Sequence, residues 1–115
     1  MNLPDPQEVK RLMSSASNRV RDIIVQMRML ADQYGVHGDV TTCTGDLSFQ
    51  LTRINERWSV YVFPAVGSTH DLEGAKLDEK ILFLEQADQF QAAYAKRILG
   101  LYEKLKKMEE KEGVQ

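Results

Sequence analysis

The chain has 115 residues, 43% of them apolar, and a formal net charge of -2 from 15 basic and 17 acidic residues. That length and composition suit one domain with a hydrophobic core and exclude global disorder. The single cysteine, Cys43, excludes an internal disulfide framework and fits a reducing compartment.

Residues 1–38 carry five basic and four acidic side chains, residues 39–76 three and five, and residues 77–115 seven and eight. No segment is a basic block, which argues against bulk electrostatic binding of nucleic acid. The N-terminus has no signal-peptide pattern, and no apolar run approaches the roughly 20 residues of a membrane span. The expectation is a soluble, cytoplasmic protein with no membrane association.

The first helix is expected over about residues 6–34. Asp5 is its cap, Pro6 sits at the first helical position, and Glu8 completes a capping-box variant. Val9, Met13, Ala16, Val20, Ile23, Met27, Leu30 and Tyr34 follow at alternating steps of four and three. This is the rhythm of a helix-pairing seam. Ile24, Val25 and Met29 broaden the apolar surface in the second half only. Gly35 supplies a left-handed C-cap.

A sheet is expected over about residues 40–64. Val40 to Thr44 is β-branched and suits a short strand, or an extension of the next strand broken by a bulge at Gly45. Leu47 to Pro64 reads as a hairpin, with two alternating runs about a turn at Asn55 and Glu56. In that register Arg53 faces Trp58, Leu51 faces Val60, and Phe49 faces Val62. One face is then apolar; the other carries Ser48, Gln50, Thr52, Ser59 and Tyr61. The turn has no glycine, which a tight primed turn prefers. A lone hairpin also leaves two edges open to a partner.

A connection over about 65–77 includes Asp71-Leu72-Glu73 as one helical turn. The second helix is expected over about 78–111, with Asp78 as cap and Leu77 and Leu82 as a hydrophobic staple. Ala87, Phe90, Tyr94, Ile98, Leu101, Leu105 and Met108 form its seam. Both helices are broadly apolar nearest the hairpin and narrowly apolar at their far ends. The far ends are expected to pair along a seam, with each other or with a second chain. The fold class is α+β, in the order α-β-β(-β)-α.

Catalytic and metal patterns are weak. His37 with Asp39, and His70 with Asp71, match no ligand spacing, and ordinary loop residues account for them. Cys43 lacks an activating helix N-terminus, so a strand cysteine is the simpler reading. Asp46, Glu56, Asp71 and Glu73 have no reason in the sequence to pair as acid and base. No phosphate-cradling glycine loop is present. No catalytic residue, metal or cofactor is therefore assigned.

Arg11, Arg21, Arg28, Arg53 and Arg57 are the candidate nucleic-acid contacts, with Trp58 or Tyr61 available to stack on bases. In element order, the chain resembles the YbaB nucleoid-associated family, whose tweezer-like dimers bind DNA. The likeness is one of order alone and assigns no residue.

The leading expectation is a non-enzymatic homo-oligomeric interaction module of adaptor, assembly-chaperone or inhibitor type. It would work through its helix seams and hairpin edges. The interface residues are Val9, Met13, Ala16, Val20, Tyr94, Ile98, Leu101, Leu105, Trp58 and Tyr61. A DNA-associated dimer is the first alternative. A small-ligand binder with its pocket near His37 and His70 is the second.

Overall fold

The computed structural model describes residues 3–41 and 46–113. The element order is α1 (Pro6–Tyr34), β1 (Gly38–Thr41), β2 (Leu47–Ile54), β3 (Arg57–Pro64), β4 (His70–Asp71), a 3-10 turn (Leu72–Gly74) and α2 (Leu77–Gly113). The α+β order expected from the sequence is the one observed. Cys43 and the bulge expected at Gly45 lie outside the described residues.

Helix α1 begins and ends where its caps dictate. The Asp5 carboxylate accepts from the Gln7 amide at 3.0 Å. Gly35 takes φ 66 and its amide donates to the Ala31 carbonyl at 2.7 Å. Glu8 does not close a capping box. Its carboxylate instead pairs with Arg11 one turn on, and that bond draws its pKa below the usual carboxylate value.

Helix α2 starts one residue earlier than expected. The Lys76 carbonyl accepts the first helical bond from Lys80 at 3.1 Å, so Asp78 lies inside the first turn. Its carboxylate accepts from the Glu79 amide at 2.9 Å.

The four strands form one antiparallel sheet in the order β1-β2-β3-β4. The hairpin register pairs Arg53 with Trp58, Leu51 with Val60 and Phe49 with Val62. Asn55 and Glu56 both have positive φ, at 51° and 65°. This is a two-residue primed turn built without glycine, with both residues in the conformation that L-residues resist.

Phe49, Leu51, Val60 and Val62 are fully buried beneath the helices. From α1 come Val20, Ile24, Met27 and Ala31; from α2 come Phe83, Ala87, Phe90 and Tyr94. Each set follows steps of four, three and four, one helical face. Phe83 meets Phe49 and Phe90 edge-on, at centroid distances of 5.3 and 5.6 Å.

On the other face of the sheet, Ser59 is buried, and so is Tyr61, which was expected at a partner interface. The Tyr61 hydroxyl reaches back along β3 to donate to the Arg57 carbonyl at 2.9 Å. Ser59 donates to Asp71 at 3.0 Å, and the Arg57 guanidinium reaches the same carboxylate at 3.8 Å.

The hairpin edges, expected to be open, are covered in part: β1 pairs with β2 along residues 48–51, and β4 pairs with β3 at Tyr61 and Val62. Further along β3, Arg28 from α1 donates to the Trp58 carbonyl at 2.9 Å.

The helices run side by side in the same direction. Lys80 of α2 donates to Ser17 of α1 at 3.5 Å. One turn after another later, Tyr34 and Ile98 line a common groove. The offset between facing residues is nearly constant. The start of α1 therefore projects past α2 at one end, and the end of α2 projects past α1 at the other. The long dimension of the molecule is 74 Å, against 28 and 26 Å across.

Candidate functional site

The parallel alignment decides what the far ends of the helices can touch. They lie at opposite ends of the molecule, so they cannot pair with each other within one chain. About sixteen residues of α2 extend beyond the level of Tyr34, roughly 24 Å at 1.5 Å per residue. Beyond α1, this segment keeps an apolar stripe. Leu101 is 38% exposed, Tyr102 61%, Leu105 56% and Met108 60%.

Helical spacing puts these residues on one side, because Leu101, Leu105 and Met108 are four and three apart. Leu99 is also exposed, on an adjoining face. At the base of the stripe, Met27, Leu30 and Tyr34 of α1 meet Tyr94, Ala95 and Ile98 of α2 in a shallow groove.

The residues expected at a partner interface divide into two groups. Met13, Leu101 and Leu105 are exposed, and Val9 and Ala16 are half-exposed. Val20, Tyr61 and Tyr94 are instead buried inside the chain's own fold, and Ile98 and Trp58 pack partly against its core. A seam period marks a face that is covered, not what covers it. Tyr102 and Met108 join the exposed stripe although neither was assigned to the interface. Met108 continues the seam three residues after Leu105, a signal already present in the spacing.

The arginines do not form one stripe. Arg11 pairs with Glu8. Arg28 lies 3.6 Å from Glu73 as well as bonding the Trp58 carbonyl. Arg57 lies 3.8 Å from Asp71 and 3.7 Å from Glu73. Arg53 and Arg21 are exposed. Arg21 lines a groove with Lys10 and Lys80, whose other walls are Met13, Ser14, Ser17, Asn18 and Leu77. Lys10 and Lys80 were not among the candidate contacts, because only the fold brings them to Arg21.

The two histidines occupy separate surroundings. His37 bonds Thr52 through Nδ1 at 2.8 Å, and its ring lies 4.9 Å from that of Trp58. His70 faces the Ser68 carbonyl through Nδ1 at 2.8 Å and the Glu79 carboxylate through Nε2 at 2.7 Å. The carbonyl accepts only, so Nδ1–H must donate to it. The carboxylate favours a second proton on Nε2. The Glu79 bond, followed by the Ser68 bond, raises the His70 pKa above 6.5. Among the described residues, no three His, Cys, Asp or Glu side chains gather as metal ligands.

Comparison with protein-family models, curated proteins and solved structures finds no match to the chain. No described helix is long and apolar enough to cross a membrane.

Proposed function

We propose that the protein is a small non-enzymatic module that associates with a second copy of itself and works through protein–protein contact. Adaptors, assembly chaperones and inhibitors act in this way. One observation carries the reading. The projecting end of α2 holds an apolar stripe that stays exposed among the described residues at Tyr102, Leu105 and Met108, while Val36 comes beside Leu101 at its base. A stripe of this kind at helical spacing is suited to packing against another helix. The projecting helix also contains Gly100, where an added Cβ would meet nothing within 4 Å among the described residues, so no close approach requires the loss of helix propensity. An unsupported helical segment of this length is marginal in water, and a partner supplies the packing it lacks.

Light scattering tests the reading. The full chain is expected to have twice the monomer mass at concentrations of about 100 μM, and Leu105→Glu to have the monomer mass with an unchanged far-UV circular dichroism spectrum. A wild-type monomer at that concentration overturns the reading.

A second reading, a DNA-associated dimer, draws support from the groove where Lys10, Arg21 and Lys80 converge. Duplex binding that falls steeply between about 50 and 200 mM salt would favour it. No binding at the lower salt removes it.

A further inference from the structure

Between the first half of α1 and the start of α2 lies a groove of about 400 Å³. Helical spacing builds its polar wall. Lys10, Ser14, Ser17 and Arg21 stand at steps of four, three and four, which is one face of α1. Lys80 closes the groove from α2 and donates to the Ser17 hydroxyl at 3.5 Å. That bond uses a lone pair of Ser17, so the hydroxyl proton is left to donate into the groove.

Three cations converge here, and no carboxylate lines the groove. The nearby acids face elsewhere. Glu8 pairs with Arg11 and Glu79 with His70, while Asp78 and Glu79 line a separate groove beside Leu47. Among the described residues, no carboxylate comes within ion-pair distance of Lys10, Arg21 or Lys80. A dianion complements that charge. A guanidinium, an ammonium and a hydroxyl are the donors that a phosphoryl group takes.

The surroundings set the size of the occupant. Tight binding of a nucleic-acid strand draws on a track of about six to ten phosphate contacts. Arg11 and Arg28 would extend such a track along α1, but they meet Glu8 and Glu73 instead. The groove volume falls in the range of small-molecule sites, roughly 300–1,000 Å³. Met13 and Leu77 lie one turn before Ser17 and Lys80, and they give the groove an apolar wall beside its charged end.

We infer that this groove binds a small phosphate monoester. Arg21, Lys80 and Ser17 hold the phosphoryl oxygens, and the uncharged part of the ligand rests on Met13 and Leu77. Lys10, two turns or about 10 Å before Ser17, adds its charge from the far end. The inference is independent of self-association, and it gives the groove a different occupant from duplex DNA.

The test titrates phenyl phosphate into the isotopically labelled full chain at constant ionic strength and follows the backbone amide resonances. Shifts confined to residues 10–21 and 77–80 are expected, with an affinity about fivefold tighter than that of inorganic phosphate. Arg21→Gln and Lys80→Gln are each expected to weaken binding about tenfold. Arg53→Gln, on the hairpin, is expected to leave it unchanged. The circular dichroism spectrum of each variant is expected to match the wild type. Wild-type affinity in both groove variants overturns the inference. So do unshifted resonances at about 10 mM phenyl phosphate, or equal affinity for sodium sulfate. A duplex oligonucleotide that shifts the same residues at a lower concentration of phosphate groups also overturns it and assigns the groove to DNA.

Discussion

The Tyr94 hydroxyl donates to the Val36 carbonyl at 2.7 Å, and this bond fastens the middle of α2 to the segment between α1 and β1. Burial pushes the phenol pKa above its usual value of 10, with a smaller opposing effect from Arg97, so the group remains a donor at neutral pH. Tyr94→Phe strands a carbonyl that has lost its partner. It is expected to lower stability by about 1–2 kcal/mol in urea denaturation. A midpoint equal to that of the wild type would show that water replaces the phenol without cost.

The same ring sets the size of a neighbour. A Cβ added at Gly38 would stand 2.7 Å from the Tyr94 Cδ2 atom. Gly38→Ala is therefore expected to destabilise by about 1–3 kcal/mol through overpacking. In a Tyr94→Leu background it should cost less, and a double-mutant cycle reads the difference. Equal costs in both backgrounds would place the strain elsewhere.

The hairpin turn offers a change of opposite sign. Glu56 holds φ 65 without the freedom of glycine. Glu56→Gly removes that strain, although it also enlarges the freedom of the unfolded chain. The net expectation is a gain of about 0.5–1 kcal/mol, visible as a higher thermal midpoint. A lower midpoint would mean that unfolded-state entropy outweighs the relief.

His70 predicts a pH dependence. Its folded pKa lies above 6.5, chiefly through the Glu79 carboxylate and then the Ser68 carbonyl. A group raised on folding stabilises fully below its unfolded pKa, and the contribution is lost as pH rises through the folded value. Stability should thus decline from pH 6.5 upward, and Glu79→Gln should flatten the decline. Denaturation midpoints across that range measure it, and an identical slope in the variant would acquit the pair.

Much of the local structure was legible in the residues. Asp5, Pro6 and Gly35 bound α1 because capping is a local matter. The hairpin register followed from its alternation, since a one-residue slip would have buried the polar set. β4 was not legible, because the two residues His70 and Asp71 carry no period. Nor was the burial of Ser59, which depends on Asp71 arriving beside it.

Periodicity also left the inner face of α1 slightly misplaced. Ile24 and Ala31 are buried, while Ile23 is half-exposed and Leu30 exposed. For the candidate site, spacing picked out Leu101 and Leu105. It could not separate them from Val20 and Tyr94, because a period does not reveal where the neighbouring helix stops. The direction of that neighbour is a property of the connection through the sheet, and no single helix records it.

Parallel helices set side by side would ordinarily place like poles of their macrodipoles together. Here the stagger separates them. The start of α2 lies near the level of Met13 and Ser14, about eight residues or roughly 12 Å along from the start of α1. The two C-terminal poles are separated by the whole projecting segment of α2. Both gaps exceed the screening length of about 8 Å at physiological salt. The overhang that exposes the α2 stripe therefore also relieves the repulsion that flush parallel helices would carry.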